Sequence, residues 1–310
     1  MSYLIILGDA SSFVLLAGLE LGEDCHSREC ELIRRGCILV LSAVFILPLC
    51  HKRDMSSLEA ASFVSTATVV VIVVMVLCKL ALTIRQHDYV VPPLNYTGPG
   101  VFQSCGIIAF SFVCHDSAFL LYNTLERKSS QRWAITTHCS LGVSLVICIT
   151  FAIAGYLTFG EATTENILNN YRTDGVVVSM RVLYCITMAL TCPTGIFVCR
   201  HTLNAILFNS EPSVQECSQQ RHLGLTWGLY LSALGIALMG WSLDFVMALS
   251  GAGAGILAFI LPPVCRLKLC KTTKVEKVAL TLMTVFGTCT MLMCILQAIQ
   301  RQFGWPHLNI

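Results

Sequence analysis

The chain has 310 residues, of which 55% are hydrophobic and only 12% charged, against about 25% charged in an ordinary soluble domain. A mean hydropathy of +0.72 is more apolar surface than a water-soluble fold hides, and it points to an all-α, polytopic protein embedded in a lipid bilayer. The formal net charge of +2 offers neither a basic field for nucleic acid nor a funnel for acidic substrates.

A helix needs about 20 mainly apolar residues to cross the hydrocarbon core. Taken in chain order, such stretches fall at 35–50, 59–82, 101–122, 133–159, 177–199, 223–243, 245–264 and 277–299. An earlier stretch, 2–18, is short and contains Asp9. The pattern therefore predicts about nine transmembrane segments, the first of them weak. No signal peptide is expected, because no n-region and cleavage site precede the first apolar run. The 17 cysteines lie scattered in apolar runs without metal-ligand spacing and read as small packing residues. Only Cys25 and Cys30 share a polar loop, where a disulfide is conceivable.

Orientation follows from the basic residues of alternate loops. One set holds Lys52, Arg53, Arg127, Lys128, Arg132, Arg200, Arg221, Arg266, Lys268, Lys271, Lys274 and Lys277; the other holds Arg28, Arg34, Arg35, Arg85, Arg172 and Arg301. The richer set is assigned to the cytoplasm, which puts the loop 83–100 outside. That loop carries the sequon Asn95-Tyr96-Thr97, whose use as a glycosylation site requires the luminal or extracellular side. With nine spans the N-terminus is cytoplasmic and the C-terminus outside.

Three spans are polar or irregular in the middle, where unpaired backbone groups are costly unless they line a cavity. In 101–122, His115 and Asp116 stand side by side within Ser111 to Phe119, and ionisable groups at that depth are functional hypotheses by default. A hydrogen bond to a neighbouring helix is the plainer reading. In 177–199, Thr187, Thr191, Pro193, Thr194 and Gly195 cluster; Pro193 frees the carbonyl of Ala189, and the Thr191 hydroxyl is expected beside it. Such hard oxygens suit a small alkali cation, although a threonine near a proline kink commonly satisfies backbone alone. The run Ser250 to Gly255 reads as close helix packing, and Asp244 as a helix N-cap. Neither a metal constellation nor a motif of hydrolases, nucleotide-binding loops or zinc proteases is present, so no enzyme activity is expected.

The segment Ser111-Phe112-Val113-Cys114-His115-Asp116-Ser117-Ala118-Phe119-Leu120-Leu121-Tyr122, followed by Leu125-Glu126, Gly155-Tyr156-Leu157-Thr158-Phe159-Gly160 and Leu190-Thr191-Cys192-Pro193, resembles the sodium-coupled neutral amino acid transporters of the amino acid/auxin permease superfamily. The resemblance implies an inverted-repeat, leucine-transporter-like fold. Residues 1–100 would be the remnant of a first repeat, 101–264 the second repeat, and 277–299 an extra C-terminal helix, all within one transmembrane domain. On that mapping 1–9 aligns with the second half of helix 3, so the first two helices are lacking, among them the unwound helix 1 that carries part of the substrate and ion site. The discontinuous helix 6 falls on 101–122, with Ser111, Cys114, His115, Asp116 and Ser117 as substrate contacts. Thr191 falls on a helix-8 threonine that ligates sodium. Asp116 departs from the neutral residue or histidine found in relatives, which bears on proton or ion coupling.

The implied function is secondary active transport of neutral amino acids by sodium or proton symport, with sodium as a co-transported ligand and no other cofactor. The membrane would be the plasma membrane or a lysosomal or vacuolar one. The competing reading is a non-transporting truncated fragment or a membrane scaffold or sensor.

Overall fold

The structure, a computed structural model, describes residues 1–18, 28–53, 58–86, 89–93, 101–164, 166–171, 174–208 and 218–303. Among the described residues every regular element is a helix. In chain order these are α1 (Ser2–Gly18), α2 (Arg28–Leu41), α3 (Leu47–Cys50), α4 (Glu59–Ile84), α5 (Val101–Ser111), α6 (Ala118–Thr124), α7 (Ser130–Phe159), α8 (Gly175–Phe208), α9 (Gln219–Leu238), α10 (Leu243–Gly255), α11 (Leu261–Leu269) and α12 (Lys274–Phe303). Wide π turns at Ser42–Ile46 and Ile256–Ile260 join α2 to α3 and α10 to α11. Both precede prolines, Pro48 and the pair Pro262-Pro263. A proline removes one backbone donor and crowds the carbonyl a turn earlier, and a locally widened helix absorbs both effects.

Among the described residues six stretches are long and apolar enough to span a membrane: Glu29–Cys50, Glu59–Ile84, Ser130–Ala162, Gly175–Phe208, Phe245–Leu269 and Lys274–Gln300. The remaining expected spans correspond to α1, which is shorter at 17 residues, to α9, and to 101–122, which is divided between α5 and α6. Of the apolar window in Ser130–Ala162 only 11% is buried, and Val143, Val146, Ile149 and Ile153 lie exposed along α7. A helix that is apolar all round yet uncovered by protein belongs in lipid.

The chain divides into two compact units, Met1–Pro93 with Ser129–Gly240, and Leu94–Lys128 with Trp241–Ile310. In the first, α8 is the common partner, packing against α1, α3, α4 and α9. Ile72, Val76 and Leu80 of α4 meet Val177 and Met180 of α8, Ala154 of α7 and Leu168 in one buried cluster. Because lipid tails solvate leucine as well as a neighbouring helix does, close packing and polar contacts, more than apolar burial, select these partners.

Charged side chains supply several of those contacts. Arg34 Nε donates to Asp9 Oδ1 at 2.5 Å, joining α2 to α1, and Arg35 pairs with Glu31 one turn earlier on its own helix. The expectation that Arg34 and Arg35 lie in a loop is thereby corrected: both are inside α2, and the span begins near residue 29, not 35, because each cation has a carboxylate partner. Arg181, 3% exposed in α8, donates to the Leu168 carbonyl at 2.8 Å and sits 3.4 Å over the ring of Phe13 of α1.

Arg200 corrects the loop assignment in the same way. It is buried inside α8 and donates to the carbonyls of Cys50 (2.6 Å) and Lys52 (2.8 Å) and to Thr226 Oγ1 of α9 (2.9 Å). His222 Nε2 lies 3.2 Å from the His51 carbonyl. The last carbonyls of a helix lack intrahelical donors and carry partial negative charge, so a cation is the natural cap. Arg200→Ala strands these carbonyls and the Thr226 hydroxyl, and is expected to cost on the order of 3 kcal/mol, with Arg200→Lys recovering only part of it because a single ammonium cannot span the same acceptors; thermal unfolding in detergent measures both.

At the opposite end of this helix pair, Asp174 accepts from the backbone N–H of Val177 at 2.8 Å, capping α8, and pairs with Lys79 of α4. The hydrogen bond from Lys79, supported by the backbone donor, holds the Asp174 carboxyl below its ordinary 3.8. A depressed acid contributes stability above its unfolded value and loses it as pH falls through the lowered one. The difference in melting temperature between the parent and Asp174→Asn should therefore be constant above about pH 5 and vanish at more acidic pH; a difference unchanged down to pH 2 would remove this linkage.

Candidate substrate and ion sites

The second unit contains the break in 101–122. Helix α5 ends in tightened turns, with Phe112 N donating to the Ala109 carbonyl and Val113 N to the Phe110 carbonyl, each at 3.2 Å. The chain then leaves helical geometry until Ala118. The cause is local: short polar side chains offer the backbone alternatives to the helix ladder. Asp116 Oδ1 accepts from Ser117 N at 2.9 Å, and Ser117 Oγ donates to the Cys114 carbonyl at 3.3 Å. Ser111 Oγ, on the last turn of α5, donates to the Ile107 carbonyl at 3.0 Å.

Ser111, Cys114, His115 and Asp116 are exposed and Ser117 half-buried. Cys114, His115, Asp116 and Ser117 thus fall in one irregular segment, with Ser111 on the helix turn before it, and His115 and Asp116 are not a buried ionisable pair. Among the described residues no group of three His, Cys, Asp or Glu side chains is placed to hold a metal.

What fixes α5 is glycine. Gly106 lies directly against Gly251 of α10, so a Cβ on Gly251 would stand 2.9 Å from the Gly106 carbonyl carbon, while Gly255 approaches Gly287 of α12. Small residues at this spacing let backbones touch, in line with the packing reading of Ser250 to Gly255. The N-cap of α10 is Ser242, which accepts from Phe245 N at 3.3 Å; the serine is placed before the first helical residue, where its oxygen reaches the free donor, and the side chain of Asp244 lies outside the described residues.

In the first unit, Thr191 lies on α8, which runs unbroken through Pro193. Its hydroxyl does not turn to the Ala189 carbonyl. It donates to the Thr187 carbonyl at 2.8 Å and meets Ser65 Oγ of α4 at 2.9 Å. One turn away, Thr187 Oγ1 meets Thr68 Oγ1 at 2.7 Å. Two hydroxyl pairs thus form a ladder between α4 and α8. Thr187 and Thr191 stand out in the sequence; Ser65 and Thr68 do not, because Ser62 and Thr66 stand beside them in the same span.

The first unit also holds a cavity of about 800 Å³ between α1, α2, the Ser42–Ile46 turn and α8. Its walls are apolar apart from Ser11, Cys37 and Cys185, and the Ser11 hydroxyl already donates to the Leu7 carbonyl at 2.6 Å. Nothing there pairs the charged ends of an amino acid, which are too costly to bury alone. Asn95 and Cys25 lie outside the described residues; Cys30 is disulfide-bonded.

Apolar spanning helices, one broken at a polar segment and another joined to its neighbour by hydroxyls, define a multi-pass integral membrane protein. The chain belongs to the family described as transmembrane amino acid transporter protein, whose model matches residues 1–300, which bears out the resemblance read from the sequence. It is similar to "Putative sodium-coupled neutral amino acid transporter 11" of Rattus norvegicus, 33% identical over 99% of this chain and 66% of the relative, and to its Homo sapiens counterpart, 31% identical over 99% of this chain and 74% of the relative. "Vacuolar amino acid transporter 2" of Saccharomyces cerevisiae is 28% identical over 96% of this chain and 64% of its own length. The chain thus spans about two thirds of the length of these relatives. No solved structure matches it.

The glycine contact makes a paired prediction. Gly251→Ala forces two backbones apart and should cost about 1–3 kcal/mol, whereas Gly253→Ala, which meets open space, should gain up to about 1 kcal/mol through helix propensity. Melting temperatures of the two purified variants compare them directly.

Proposed function

We propose that the chain works in secondary active transport of amino acids, with neutral amino acids as substrates and sodium or protons as the coupled ion. The single observation that carries this reading is the unwound segment 112–117 in an otherwise apolar stretch, since transporters build their sites from discontinuous helices whose free backbone groups face substrate and ion. In this reading Ser111, Cys114, His115, Asp116 and Ser117 contact the substrate. Thr191 is a sodium ligand. Asn95 carries a glycan on the outer side. The names of the mammalian and yeast relatives support a plasma membrane or a vacuolar or lysosomal one, and the repeat division at residue 101 accompanies the same reading.

Uptake of radiolabelled neutral amino acids into proteoliposomes containing the 310-residue chain, with imposed sodium or proton gradients, tests the proposal. Accumulation driven by one gradient is the expected result; none under either would favour a scaffold or sensor. Thr191→Ala should raise the sodium concentration for half-maximal uptake by about tenfold, the loss of roughly 1.4 kcal/mol of ion binding. An unchanged sodium dependence would remove Thr191 from the ion site.

A further inference from the structure

The cavity of the first unit exists because small side chains meet around it: Ser11 of α1, Gly36 and Cys37 of α2, and Cys185 and Ala189 of α8. A Cβ placed on Gly36 would meet open space. On α8 its wall includes Val182 and Ile186, which at 3.6 residues per turn lie on the opposite side of that helix from Thr187 and Thr191. The space is therefore separate from the hydroxyl ladder. Leu15, Val40 and Phe45, which also line it, are exposed, so it opens on the outer surface. Its wall from Ile33 to Leu49 is about 24 Å long at the helical rise, more than the roughly 15 Å depth of hydrocarbon in one leaflet. Spread over that length, about 800 Å³ leaves a cross-section of about 33 Å², against about 80 Å² for a helix 10 Å across.

The wall chemistry narrows what fills it. Water needs two to four polar partners, whereas the Ser11 proton is spent on the Leu7 carbonyl and thiols bond weakly. An empty apolar space forfeits dispersion contacts. A second helix is too wide. A methylene chain needs no hydrogen bonds and fits the width. The two ends of the groove differ in charge. Near Ile33, Arg34 and Arg35 pair with Asp9 and Glu31. Beyond Leu49, Lys52 N donates to the Leu49 carbonyl at 3.1 Å, which puts Lys52 and Arg53 one turn past the wall, and Arg200 fixes that turn through the Cys50 and Lys52 carbonyls. Both cations are exposed, neither is in an ion pair among the described residues, and the run Lys52-Arg53-Asp54 is net positive. We propose that the groove seats one acyl chain of an anionic phospholipid whose phosphate is held by Lys52 and Arg53. Cations at the membrane boundary attract anionic headgroups, and the chain fills the gap that α1, α2 and α8 leave among themselves. The proposal is independent of the transport reading.

Native mass spectrometry of the delipidated 310-residue chain in detergent, titrated with phosphatidylglycerol or with phosphatidylcholine of the same acyl chains, tests it. The parent should bind one lipid saturably and prefer phosphatidylglycerol by about tenfold. Gly36→Phe and Ala189→Phe, which fill the groove from opposite walls, should lose that adduct while melting in lipid-free detergent no lower than the parent. The double variant Lys52→Gln, Arg53→Gln should still bind one lipid but take the two headgroups equally. Equal binding of both lipids by the parent, or an anionic preference that survives in the double variant, would overturn the proposal. So would a parental adduct in a folded filling variant, or a lipid-free dimer in place of the adduct. Should neither filling variant fold, the loss or survival of the anionic preference in the double variant decides alone.

Discussion

In hydrocarbon, a backbone or side-chain polar group without a partner costs several kcal/mol, and the described structure is organised around meeting that demand. The long helices satisfy their own backbones. Before Pro48 and Pro262 the helix widens into a π turn, while α8 continues through Pro193. Where the ladder stops altogether, between Ser111 and Ala118, serine and aspartate side chains take over the bonding. The carbonyls ending α3 go to Arg200, and the hydroxyls of Ser65 and Thr68 find those of Thr191 and Thr187.

The same demand explains what the sequence showed and what it hid. Apolar runs of the right length announce the membrane, and His115 beside Asp116 announces the irregular segment, because both signals lie within a few consecutive residues. Partners distant in the chain leave no such trace. Asp9 looks misplaced in an apolar stretch until Arg34 is seen beside it, and Arg200 counts as a loop charge until the end of α3 is found in front of it. A rule that assigns basic residues to loops fails for those whose charge is used inside the fold. Ser65 and Thr68 were illegible for a related reason: a serine in a transmembrane helix carries no mark of where its hydroxyl points.

Elements that look ordinary in sequence also define how α4 and α8 are held. They are joined at one end by Lys79 and Asp174, in the middle by Val76, Val177 and Met180, and at the other end by the hydroxyl ladder. An ionic, an apolar and a hydrogen-bonded contact respond differently to salt, temperature and substitution, so the pair does not depend on a single kind of force.

The meeting of Gly106 with Gly251 bears on how α5 can move. Elsewhere, displacement of one helix against another is absorbed by side chains that change rotamer. Here there are no side chains to absorb it, and the contact lies roughly one and a half turns before the irregular segment. A tilt of α10 is passed from main chain to main chain into the end of α5, which makes this crossing a rigid fulcrum placed close to the part of the helix that is already unwound.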